Sequence, residues 1–180
     1  KISDYFKRKF YLFSSVFIVS ICQSSGANFL NGKSIFNPDT IHEIRLVFSQ
    51  PQFWDTLIAR YTGAHDSIPE DDKPLLASVE IDGIKLDSIG VKLKSHLSYT
   101  IPTDKKPIKL YFSAFAKGRN FEGLHRLNLS NEFPDPSMLR NTVAFKILRN
   151  AGVRAPRTSF ARVYMNDAYK GLYVLIEQVD

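Results

Sequence analysis

The sequence predicts an α+β fold, a mostly antiparallel sheet with helices packed on one face. Three observations carry that expectation. The strands come in hairpins more than in βαβ units, because Asp82-Gly83 and Asn166-Asp167 are turn pairs set between alternating apolar runs. Between the hairpins lies one well-punctuated amphipathic helix, near residues 136–150. Finally, 180 residues that are 44% hydrophobic and 13% aromatic suffice for a domain with a real core and argue against a disordered chain.

Residues 1–27 read as a secretory signal. Lys1, Lys7, Arg8 and Lys9 make a basic start, residues 11–21 form an apolar run, and Ser25-Gly26-Ala27 offers small residues for cleavage. An uncleaved anchor is the alternative, although the run is short for a membrane span. Cleavage removes four bases and Asp4, so the formal charge falls from +6 to +3. That weakens the case for a polyanion partner: no nucleic acid is expected, and a membrane is met only through this segment. Cys22, the single cysteine, leaves with the signal, so no disulfide supports the exported chain. Residues 28–40 are polar and turn-rich, a linker, and residues 41–180 make the folded domain.

Within that domain Ile44, Leu46 and Phe48 alternate with Glu43, Arg45 and Val47, the mark of a strand with one buried face. Pro51 opens a helix in which Phe53, Trp54, Leu57, Ile58 and Tyr61 share a side. Residues 63–74 are acidic and rich in breakers, hence an exposed loop. The Asp82-Gly83 hairpin joins strands at 76–81 and 84–94, and the second places Lys92 and Lys94 together on one face. From spacing alone they suit either an anion or open water. Residues 106–112 alternate again, with Ile108, Leu110 and Phe112 inward and Lys109 and Tyr111 outward.

Asp135 is a capping residue and Pro136 suits the first helical position, so the main helix is predicted to start there. Leu139, Val143 and Ile147, flanked by Met138, Phe145 and Leu148, give it an apolar face meant for burial. Arg140, Asn141, Lys146 and Arg149 look elsewhere. Gly152 and Pro156 end it. The closing hairpin pairs residues 158–165 with 169–178. Its last arm has Leu172, Val174 and Ile176 on one face and Tyr173 and Leu175 on the other, so it belongs inside the sheet. Motifs that would assign other chemistry fail. The spacing from Gly118 to Gly123 begins a P-loop, but Leu124 and His125 stand where Lys and Ser or Thr must be. The histidines at 42, 65, 96 and 125 have no ligand spacing, so no metal residue is assigned.

The words GLHRLNLSNEFPDPSMLRN, AGVRAPRTSFARVYMND and GLYVLIEQVD, with weaker support from IDGIKLDSIGVKLKSHLSY and KKPIKLYF, resemble the spore coat protein H (CotH) kinase family. The resemblance implies an atypical protein-kinase-like amino-terminal lobe that lacks its carboxy-terminal lobe. It implies phosphoryl transfer from ATP, with Mg or another divalent metal, to Ser or Thr of coat or surface proteins, and a secreted, cell-surface or spore-coat location. Lys94, which opens the lid-like word KSHLS, Lys109, Arg126 and Arg140 become candidates for holding phosphate, and Glu177 for the hinge that meets adenine. Arg140 suits a phosphate or a carboxylate, or equally a plain surface position on the helix, and Lys109 reads equally as an ordinary exposed lysine. Ser95 stands where the family often has glycine, which loosens the backbone's approach to phosphate. The family's catalytic and metal-binding acids are expected after Asp180, so no catalytic residue is assigned and residues 1–180 are expected to be inactive alone. The apolar side of Tyr173 and Leu175 is then expected to lack its partner lobe. A non-catalytic surface or coat-assembly module is the competing reading.

Overall fold

The computed structural model describes residues 31–65, 73–94, 103–133 and 135–179; the signal reading at 1–27 and the lid word at 95–98 lie outside them. Among the described residues there are seven strands: β1 (Ile41–Val47), β2 (Leu75–Ile81), β3 (Ile84–Leu93), β4 (Ile108–Tyr111), β5 (Arg126–Ser130), β6 (Thr158–Met165) and β7 (Ala168–Glu177). They close into a barrel in the order β1-β2-β3-β4-β5-β7-β6. Neighbours are antiparallel, except that β1 and β6 run parallel, with Ile41 opposite Phe160 and Leu46 opposite Met165. Two helices accompany the barrel among the described residues, α1 (Phe53–His65) and α2 (Arg140–Asn150).

Alternation explains the core. Ile44, Leu46, Val91, Ile108, Leu110, Leu127, Leu129 and Val163 point inward and are fully buried, each worth about 1.5–3 kcal/mol relative to exposure. Both turn pairs do what their residues permit. Asp82 and Gly83 take φ of 47° and 86°, and Asn166 and Asp167 take 45° and 66°. Asn166 also fastens the parallel seam: its Oδ1 accepts the Phe48 N–H at 2.7 Å and its Nδ2 donates to the Phe48 carbonyl at 3.1 Å.

The barrel corrects the α+β expectation of a kinase-like lobe with packed helices. Pairing β1 with β6 removes both open edges, whose unpaired N–H and C=O groups an open sheet must leave to solvent or a partner. The helices form no layer. α1 lies against β2 and β3 with Leu57 buried beneath it, and α2 buries none of its residues. The same closure overturns the expectation that Tyr173 and Leu175 face a missing lobe. Both point into the barrel and are fully buried, and the Tyr173 hydroxyl donates to the Lys106 carbonyl at 3.0 Å.

Two further corrections concern α2. It begins at Arg140, four residues after Pro136, because Met138 adopts a left-handed φ of 57°. Asp135 nevertheless serves the helix start, accepting the Arg140 N–H at 2.8 Å and the Ser137 hydroxyl at 2.6 Å. The Ser137 hydroxyl and then the Arg140 N–H hold its carboxyl below the usual range. The helix is also turned the other way: Asn141, Thr142, Phe145 and Arg149 are half-buried, while Leu139, Val143, Ile147 and Leu148 are exposed.

Residues 31–36 of the stretch read as a linker pack on the barrel, with Ile35 and Phe36 in the core. The Gly32 N–H donates to the Glu122 carbonyl at 2.8 Å, and the Ser34 N–H and hydroxyl reach the Glu122 carboxylate at 3.0 and 2.6 Å. Gly32 has φ of +64°, and a Cβ there would meet Leu124 at 2.4 Å, so both the turn and the close approach need glycine.

Candidate functional site

On the outer wall of the barrel the strand registers line up one row of polar side chains. Lys92 is opposite Lys109, Lys109 opposite Asn128, and Asn128 opposite Ile176. Period-two alternation sends these residues outward because their neighbours Val91, Leu110 and Leu127 fill the interior. Around this row three cations gather at one aromatic ring: Lys92 Nζ, Lys109 Nζ and Arg126 Cζ lie 6.0, 5.4 and 6.0 Å from the Tyr111 centroid.

Lys94 joins them. Its ammonium donates to Asn128 Oδ1 at 3.1 Å, and the Asn128 amide donates onward to the Ile176 carbonyl at 3.4 Å and Gln178 Oε1 at 3.3 Å. Asn128 is itself buried. Burial, reinforced by the neighbouring charge of Lys109, pushes the Lys94 amine down, and Glu132 opposes that shift. A lysine that is costly to charge and is aimed by a buried amide is poised to gain from an arriving anion.

A second half-buried lysine stands beside the first. Lys105 Nζ is 5.2 Å from the Tyr173 ring and 4.0 Å from Met138 Sδ, and burial lowers its amine while Glu132 again opposes. Glu132 is the carboxylate between these lysines. It is buried, takes a left-handed φ of 53°, and accepts both amide hydrogens of Asn141 at 3.1 and 3.0 Å. The inward turn of α2 puts Asn141 in place to do so.

The structure therefore brings Lys94, Lys109 and Arg126 together on one face. It does not bring Arg140 or Glu177 to them. Arg140 is exposed at the first residue of α2. Glu177, in register with inward-facing Leu127, is occupied by Arg157: its carboxylate accepts Nη2 at 2.6 Å, Nε at 3.0 Å and the Arg157 backbone N–H at 3.0 Å. Ser95 lies outside the described residues. Asn128, Lys105 and Glu132 were not singled out as site residues from sequence. The paired Lys105-Lys106, a basic doublet just before a strand, is the one cue to them in the sequence.

As to ligands, the ammonium and guanidinium donors of this face fit polyphosphate oxygens. Among the described residues no group of three His, Cys, Asp or Glu is arranged to hold a metal ion. A small β-barrel domain with a cationic outer face, centred on a buried amide, is what the fold and site define. Residues 95–180 match the family model described as CotH kinase protein. The inner spore coat protein H of Bacillus subtilis (strain 168) is 31% identical over 110 residues, covering 61% of this chain and 29% of that protein. The chain thus spans less than a third of the length of that relative.

Proposed function

We propose that this domain is the ATP-gripping part of an atypical protein Ser/Thr kinase that works at the spore coat or cell surface. The observation that carries the reading is the Lys94 ammonium held at 3.1 Å by buried Asn128 on the face that also bears Lys109 and Arg126. Lys94 and Lys109 meet phosphate oxygens, Arg126 adds a planar fork, and Lys105 with Glu132 sets the local charge. A divalent metal, when bound with ATP, would supply further neutralisation of the leaving phosphates. The relative's name, with the family match, supports the coat-related role.

The test is titration of the chain with a fluorescent ATP analogue. Saturable binding that weakens by about tenfold or more in Lys94→Ala, about 1.4 kcal/mol, is the expected result. Equal affinity of the variant and the parent protein removes Lys94 from the site and this reading with it. One observation favours a coat-assembly module instead, the exposed apolar side chains of Leu139, just before α2, and of Val143 and Ile147 on it. That reading expects coat incorporation to depend on these residues and to ignore Lys94.

A further inference from the structure

Exposed apolar side chains concentrate in one short stretch, where Leu139, Val143, Ile147, Leu148 and Val153 are between 40% and 61% exposed. Spacings of four put Leu139, Val143 and Ile147 on one line of α2 and its N-cap. The half-buried Asn141, Thr142, Phe145 and Arg149 take the opposite side, so the apolar line points away from the barrel. At the end of the helix the Gly152 N–H donates to the Arg149 carbonyl at 3.0 Å and the Val153 N–H to the Leu148 carbonyl at 2.9 Å. That cap, with Gly152 at φ of 79°, brings Val153 back beside Leu148 and prolongs the stripe. The surroundings carry one sign of charge. Between Asp135 and Asp167 the sequence has no Asp or Glu, while Arg140 and Lys146 stand exposed on the helix. Arg140 has Asp135 for a neighbour. The residues three and four away from Lys146 are Thr142, Val143, Arg149 and Asn150, none of them acidic.

We propose that α2 docks the domain on an anionic lipid bilayer, with Val143, Ile147 and Leu148 entering the boundary between headgroups and acyl chains and Lys146 and Arg140 meeting the lipid phosphates. Two observations choose this occupant. The stripe crowns a convex helix instead of lining a groove, so a fluid layer covers it while the stems of the flanking bases lie along the apolar boundary. A second copy is disfavoured, because a two-fold contact sets these bases against each other. One face of an 11-residue helix, about 16 Å long, also falls short of the roughly 800 Å² per partner of a standard interface. Among the described residues no helix is long and apolar enough to cross a membrane, so α2 lies on the surface. The proposal goes beyond the nucleotide reading and does not need it. It adds a lipid contact to the one expected of residues 1–27, and it gives Val143 and Ile147 lipid in place of a coat protein.

The experiment attaches an environment-sensitive fluorophore to the whole chain at Ile147→Cys, in a Cys22→Ser background, and adds vesicles of equal parts phosphatidylglycerol and phosphatidylcholine. Reporting from position 147 separates α2 from any binding by residues 1–27. The signal is expected to brighten and shift to the blue with these vesicles, to weaken as salt rises, and to stay unchanged with phosphatidylcholine alone. The same label at Asp87→Cys, on β3 across the barrel from β6, is expected to stay unchanged. Lys146→Glu and Val143→Gln, both at exposed positions, are each expected to raise the lipid concentration at half-signal by at least about fivefold. A silent fluorophore at 147, an equal response to phosphatidylcholine alone, or indifference to both variants overturns the proposal. Brightening that follows the protein's own concentration without lipid overturns it too, by assigning the face to a second copy. The ATP-analogue titration separates the two readings: Lys146→Glu is expected to leave it unchanged, and Lys94→Ala is expected to leave the vesicle response unchanged.

Discussion

Replacing Glu177 with Gln tests whether this carboxylate serves a ligand or the fold. In the structure it accepts three hydrogen bonds from Arg157, at 2.6, 3.0 and 3.0 Å, and both side chains are 16% exposed. Arg157 in turn donates to the Asn31 carbonyl and sits 4.7 Å from the Phe36 ring centroid, so the pair clamps residues 31–36 onto the barrel. Breaking one partner of a buried pair costs about 3–5 kcal/mol. Residual solvent access and the oxygen that Gln retains lower the expectation to about 2–3 kcal/mol. For a chain of this size that corresponds to a fall of about 5–10 °C in the thermal midpoint. Thermal and urea unfolding of Glu177→Gln, Arg157→Met and the double variant measure it, with a coupling of at least about 1 kcal/mol expected from the cycle. A Glu177→Gln protein as stable as the parent, yet weaker for the ATP analogue, refutes the assignment and returns Glu177 to the ligand.

Two other outcomes follow from the same geometry. Ile147→Glu is expected to change stability by less than about 0.5 kcal/mol, because Ile147 is 61% exposed; urea unfolding checks this, and a loss of several kcal/mol restores the predicted helix face. Lys94 and Lys105 have amines lowered by burial, so between their folded values and the ordinary lysine value of about 10.4 the unfolded chain holds more protons and stability rises with pH. Below the folded values the cost is fully present and constant. A urea midpoint that climbs with pH below the ordinary lysine value, and flattens in the Lys94→Met, Lys105→Met double variant, is the expected observation. An unchanged slope in that variant assigns the pH dependence to other groups.

Much of the local structure was legible in the residues. Asp82-Gly83 and Asn166-Asp167 set their hairpins because the turn conformation they need is written in those side chains. The alternation around Ile108, Leu110 and Lys109 told which residues face in and which face out, and with it the shared face of Lys94, Lys109 and Arg126. The family words marked the right half of the chain.

Closure of the barrel was not legible, because β1 and β6 meet in parallel across more than a hundred residues and no local signal records that pairing. Once the barrel closed, it took Tyr173 and Leu175 inside. The helix then turned its polar side inward, where Asn141 could hold Glu132 and Arg149 could reach Pro156. Periodicity reports how many faces a segment has. Which of them is buried depends on the surface it meets, and for α2 that surface is β6 and the segments flanking the helix, Glu132 before it and Pro156 after it.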